Sequence, residues 1–176
     1  NDAPVLSGVN NDTISEDSGV RIIKLSATDI EGDALTYSGK SSSSNVEAAV
    51  STDTLSLTPA PDWNGTSTIT AYASDGSLKD STTFTLTVTP INDAPVITAV
   101  SNDSTDEETE KAIKLSGSDI DGDDLTYTAS SDTSAVAITI STDTLKLTPA
   151  LNYTGTSVIT VIVSDNVLTD TTKFDF

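Results

Sequence analysis

The side chains best suited to chemistry in this chain are carboxylates, and they recur in one spacing. Asp29-Ile30-Glu31-Gly32-Asp33 and Asp119-Ile120-Asp121-Gly122-Asp123 each set three carboxylates within five residues around a turn-forming glycine. Groups so close repel one another unless a cation neutralises them, and Ca²⁺ takes about six to eight oxygen ligands at ~2.3 to 2.6 Å. The spacing differs from that of an EF-hand loop: glycine stands fourth, and the chain runs straight on into Ala34-Leu35-Thr36-Tyr37. Taken alone, the triplet reads equally well as a solvated acidic turn.

Composition narrows the chemistry. There are 27 Asp plus Glu against 8 Lys plus Arg, a net charge of -19, which argues against nucleic acid or an anionic membrane as partner. Cysteine, histidine and methionine are absent. Thiol nucleophiles, His-based triads and Cys/His zinc sites therefore go together. A glycosidase-type carboxylate pair needs a cleft, which small sandwiches with short loops do not offer, so no enzymatic activity is expected. No run approaches the ~20 apolar residues of a spanning helix, and no direct membrane insertion is expected. The abrupt first residues Asn1-Asp2-Ala3-Pro4 and last residues Phe174-Asp175-Phe176 read as those of an excised piece.

The elements that must position the carboxylates come from an internal repeat. Asn1-Asp2-Ala3-Pro4-Val5 returns as Asn92-Asp93-Ala94-Pro95-Val96, and residues 21–86 match 111–176 at 34 of 66 positions. The expected domains are therefore 1–91 and 92–176, the second with its last strand cut short where the first still has Thr87-Val88-Thr89. Within each copy the apolar period is two: Ile23, Leu25 and Ala27; Leu55 and Leu57; Ile69, Ala71 and Ala73; Phe84, Leu86 and Val88, with matching runs in the second copy. Each segment is thus a half-buried strand, and about seven strands per copy predict an all-β protein of two tandem immunoglobulin-like sandwiches. Turn signals such as Asn64-Gly65 and Asp75-Gly76 separate them.

Three stretches in order resemble the cadherin repeat in its bacterial form, the tandem repeat of large surface adhesins. They are residues 27–37, then Ala73-Ser74-Asp75-Gly76, then residues 85–96 with the linker Pro90-Ile91-Asn92-Asp93-Ala94-Pro95. The resemblance covers nearly the whole chain. It implies a cadherin-like sandwich and Ca²⁺ as cofactor, with Glu16, Asp62, Asn64, Asn92, Asp93, Asp119, Asp121 and Asp165 as metal ligands. Asn64 stands where the family has a glutamate. Asn1, Asp2, Asp29, Glu31 and Asp75 are the corresponding partial half-site. The implied function is that of calcium-stiffened extender repeats of a secreted or cell-surface adhesin, extracellular, with neighbouring repeats of the same chain as first partners.

Two alternatives stand beside it. One is a module for homophilic contact or polysaccharide, with other cell-surface proteins or glycans as partners. The other is a metal-independent acidic spacer. Trp63 and Tyr153 occupy matching positions before a strand, where packing at a sandwich corner is the simpler reading than a sugar platform. Lys24 and Lys114 alternate with apolar neighbours and should point outward, away from any isopeptide partner in the core.

Overall fold

The computed structural model describes all residues, 1–176, as two units, Asn1–Ile91 and Asn92–Phe176. Both are built only of strands. The first contains Val5–Leu6 (β1), Asp12–Ser15 (β2), Arg21–Lys24 (β3), Ala27–Thr28 (β4), Thr36–Ser41 (β5), Val46–Ser51 (β6), Thr54–Pro59 (β7), Gly65–Ser74 (β8) and Lys79–Thr89 (β9). One sheet has the order β2-β9-β8-β5 and the facing sheet β3-β7-β6, while β1 pairs with β4 at one margin. Alternate residues of both sheets face inward, which is why Leu55, Leu57, Ile69, Ala71, Ala73 and Leu86 are fully buried while their neighbours in sequence are not.

The second unit repeats the plan with Val96–Ile97 (β10), Lys111–Lys114 (β11), Gly117–Ser118 (β12), Thr126–Ser131 (β13), Val136–Ser141 (β14), Thr144–Pro149 (β15), Val158–Ser164 (β16) and Thr169–Asp175 (β17). Its sheets are β13-β16-β17 and β11-β15-β14, with β10 paired to β12. Leu145, Leu147, Ile159, Val161 and Val163 form the centre of its separate core.

Two features depart from the seven-strand expectation. The run through Ile23, Leu25 and Ala27 is not one strand: β3 pairs with β7 and β4 with β1, and the break falls at Leu25, whose amide donates to Asp53 O at 2.7 Å. Leu25 is buried at this crossing between sheets. The polar segment β2 pairs in parallel with β9, Asp12 opposite Leu86 and Ser15 opposite Thr89, a partner more than seventy residues away.

Lys24 and Lys114 do point outward, and their ammonium groups pair with Asp53 at 3.1 Å and with Asp143 across the adjoining hairpins. Trp63 and Tyr153 lie half-buried against their respective cores, as packing residues would.

Candidate metal centre

In each unit the acidic turn follows the short strand that pairs with the first strand, so the unit's leading residues and its turn lie at one end. The turn itself is organised by its first aspartate. In the second unit Asp119 Oδ1 accepts the amides of Asp121 (2.9 Å) and Asp123 (3.4 Å). In the first, Asp29 Oδ1 accepts those of Glu31 (3.0 Å) and Asp33 (3.2 Å). Gly32 and Gly122 sit at φ 80° and 82°, a conformation that a side chain would disfavour. The second oxygen of the leading aspartate, Oδ2 of Asp29 and of Asp119, is buried and receives no hydrogen bond.

Around this turn the second unit gathers five of the residues expected as ligands. Asp119 and Asp121, with Asp123, present carboxylate oxygens within 4.8 Å of one another. Asp121 Oδ2 accepts the amide of Asp93 at 2.8 Å. Asn92 Nδ2 donates to Asp165 Oδ2 at 2.8 Å and to the Asp93 carbonyl at 3.0 Å. Asp165 is buried, and its Oδ1 caps the hairpin by accepting the Val167 and Leu168 amides, both at 2.6 Å.

The first unit assembles the matching half-site in the same way. Asn1 Nδ2 donates to Asp75 Oδ2 at 2.9 Å, the Asp2 amide donates to Glu31 Oε2 at 3.2 Å, and Asp75 Oδ1 accepts the Ser77 and Leu78 amides. The Asn-Asp pair at the head of each repeat is thus fastened by the same two bonds, the aspartate amide to its own acidic turn and the asparagine side chain to the hairpin aspartate, Asp75 or Asp165.

Charge acts on the members differently. Burial pushes the Asp123 carboxyl above the ordinary aspartate range, and the neighbouring Asp119, Asp121, Asp165 and Asp124 charges add to it. Asp165 moves down because Asn92 donates to its charged form, outweighing burial; the Leu168 and Val167 amides act in the same direction. Asp75 is likewise held down, first by the Leu78 amide and then by the Asn1 side chain. Asp123 and Asp165 are thus shifted in opposite directions within one cup of carboxylates.

Glu16, Asp62 and Asn64 are placed at the other end of the first unit, beside the end of β9. Glu16 is almost wholly buried. Its amide donates to Thr89 O at 2.9 Å, and its Oε1 accepts the Ile91 amide at 2.7 Å, while Oε2 is buried without a hydrogen bond. The Asp62 amide donates to Asp17 Oδ1 at 3.2 Å, and Asn64 is exposed two residues on.

Sequence reasoning left Asp17 and Asp123 outside the ligand set. Asp123 was visible as the last carboxylate of the triplet; Asp17 carries no motif signal and is brought to Asp62 by a left-handed turn at φ 56°.

Solved structures show the same architecture. Form II of human Protocadherin-24 EC1-2 aligns over 99% of this chain and 98% of that one at 18% identity, with a TM-score of 0.62, and another crystal structure of the same fragment gives 15% identity and 0.50. An endo-fucoidan hydrolase of glycoside hydrolase family 107 aligns at 23% identity and a TM-score of 0.46; the chain spans 28% of its length. No curated protein matches the sequence. The sequence profile of the bacterial Ig domain matches residues 1–89 and again 92–176, so the chain belongs to the bacterial Ig domain family, as two tandem domains whose fold the protocadherin structure shares.

Proposed function

We propose that this chain consists of extender repeats of a secreted or cell-surface bacterial protein, non-catalytic, with Ca²⁺ as the bound cofactor. The observation that carries the calcium reading is the buried Oδ2 of Asp29 and of Asp119, which receives no donor in either repeat. Leaving a buried carboxylate oxygen unpaired is costly, and a cation is the partner that the surrounding carboxylates select. The donor set fits a hard ion, being all oxygen: Asp119, Asp121 and Asp123 carboxylates, with Asp165 and the linker groups of Asn92 and Asp93 adjoining. An ion there would neutralise the cup and tie Asn92 and Asp93 to the repeat they lead, removing freedom from the residues that join one repeat to the next. Millimolar calcium outside a cell suits modules of this kind, whose Kd is commonly ~10⁻⁴ to 10⁻³ M.

The experiment is isothermal calorimetry of the calcium-stripped chain with CaCl₂. Saturable binding in that range supports the reading. Absence of heat at millimolar calcium, together with unchanged melting, would leave the acidic-spacer reading in its place.

A further inference from the structure

We propose that Asn64 is a site of spontaneous deamidation, a built-in chemical modification that turns a neutral side chain at one end of the first repeat into a carboxylate. Asn64 is followed by Gly65, the sole Asn-Gly step in the sequence. Its reaction is intramolecular: the Gly65 amide nitrogen attacks the Asn64 side-chain carbonyl carbon, the new N–C bond closes a five-membered succinimide, and ammonia leaves. Water then opens the ring at either carbonyl to give aspartate or isoaspartate. Water is the one co-reactant, and neither oxidation nor reduction takes place.

The structure contributes three conditions. A residue without Cβ after asparagine lets the nitrogen approach with the least hindrance, and Gly65, the first residue of β8 and paired with Val88 of β9, supplies it. Gly65 has φ 142°, and a Cβ at this position would lie 3.0 Å from Trp63 Cζ2, so backbone conformation and the ring packed on the corner both favour glycine. Asn64 is exposed to water, as hydrolysis of the ring requires. Its side chain is also untethered, whereas Asn1, Asn11, Asn92 and Asn102 are each engaged through their side-chain amides. Hydrogen bonds of that kind hold an amide away from the attacking nitrogen.

The second repeat provides an internal control. It keeps the glycine and the aromatic as Gly155 and Tyr153 but carries Thr154 at the asparagine position, and its nearby Asn152 is followed by Tyr153. The modification therefore distinguishes the repeats. It makes the chain one unit more negative than -19 and adds a carboxylate two residues from Asp62. The further consequence, a calcium affinity that rises with age, rests on the calcium reading above.

The test incubates the full chain and its Asn64→Gln variant for several days in warm, mildly alkaline buffer, followed by peptide mapping and isoelectric focusing. Conversion at Asn64, with a shift to a more acidic band that Asn64→Gln lacks, is the expected result. An intact Asn64, or conversion no faster than at Asn152, overturns the proposal. A calcium titration of fresh wild type and of Asn64→Asp separates the two readings. Tighter binding by Asn64→Asp supports the age effect, and equal binding refutes that effect. No binding by either protein refutes the calcium reading and leaves the mapping result to decide the modification.

Discussion

Asp119→Asn should change the sign of its effect with calcium. The variant keeps an oxygen to accept the Asp121 and Asp123 amides, so the turn is preserved, and it replaces the buried, unbonded Oδ2 with an amide that can donate to neighbouring carboxylates. Without metal, one member of a like-charged group is gone, and relief of such pairs is worth a few tenths to about 1 kcal/mol. For a unit of this size that raises Tm by up to ~8 °C. With calcium at a hundredfold excess over Kd, the wild type gains about 2.7 kcal/mol from binding. The variant, short of one charge and one ligand oxygen, forfeits most of that gain and melts below wild type. Thermal unfolding followed by circular dichroism, in chelator and in calcium, reads both halves. Equal destabilisation in both buffers would show that Asp119 is a structural residue. Equal stabilisation of both proteins by calcium would show that the ion binds elsewhere.

Glu16→Gln tests the ligand role that the resemblance implies for this buried side chain; it keeps an acceptor for the Ile91 amide and should weaken calcium binding in calorimetry, where unchanged affinity would refute that role. Asp170 is held below the ordinary value of 3.8, first by the Ile97 amide and then by Thr171, and Asp80 likewise by Leu6 and then Ser81. Because these folded-state values are depressed, each carboxylate stabilises the fold above the unfolded value, and its contribution is lost as pH falls through the folded one. Asp170→Ala should therefore flatten acid unfolding below pH 3.8 and speed hydrogen exchange at the Ile97 amide. Thr52 and Thr142 hold φ near 53° and 56°, disfavoured for β-branched residues, so Thr52→Asn should raise stability by about 0.5 to 1 kcal/mol in chemical denaturation. Ile69→Ala in the centre of the first core should cost about 2 to 5 kcal/mol in the same assay.

The repeat and its period of two made the sandwich legible, because a half-buried strand must alternate: Leu55, Leu57, Ile69 and Leu86 are buried as their spacing requires. β2 was hidden since Asp12, Thr13 and Ser15 are polar and their ladder is parallel with a strand far along the chain, which local pattern cannot register. The split at Leu25 was equally invisible: alternation continues unbroken through a strand that changes sheets, and the bond from Leu25 to Asp53 O that marks the change involves main chain alone. The acidic turns were legible as triplets, but the fastening of Asn92 to Asp165 and of Asp93 to Asp121 depends on contacts roughly thirty and seventy residues apart. Asp17 could not be singled out because no motif marks it or its acidic counterpart Glu108, and the left-handed turn they share is set by the backbone.

The central claim is that the acidic cup is a calcium site, and calorimetric titration of the chelator-treated chain tests it most directly, with Asp119→Asn alongside. The account predicts saturable calcium binding with Kd of ~10⁻⁴ to 10⁻³ M, weakened in the variant. Indistinguishable titrations of both proteins, or no binding at millimolar calcium, would contradict it.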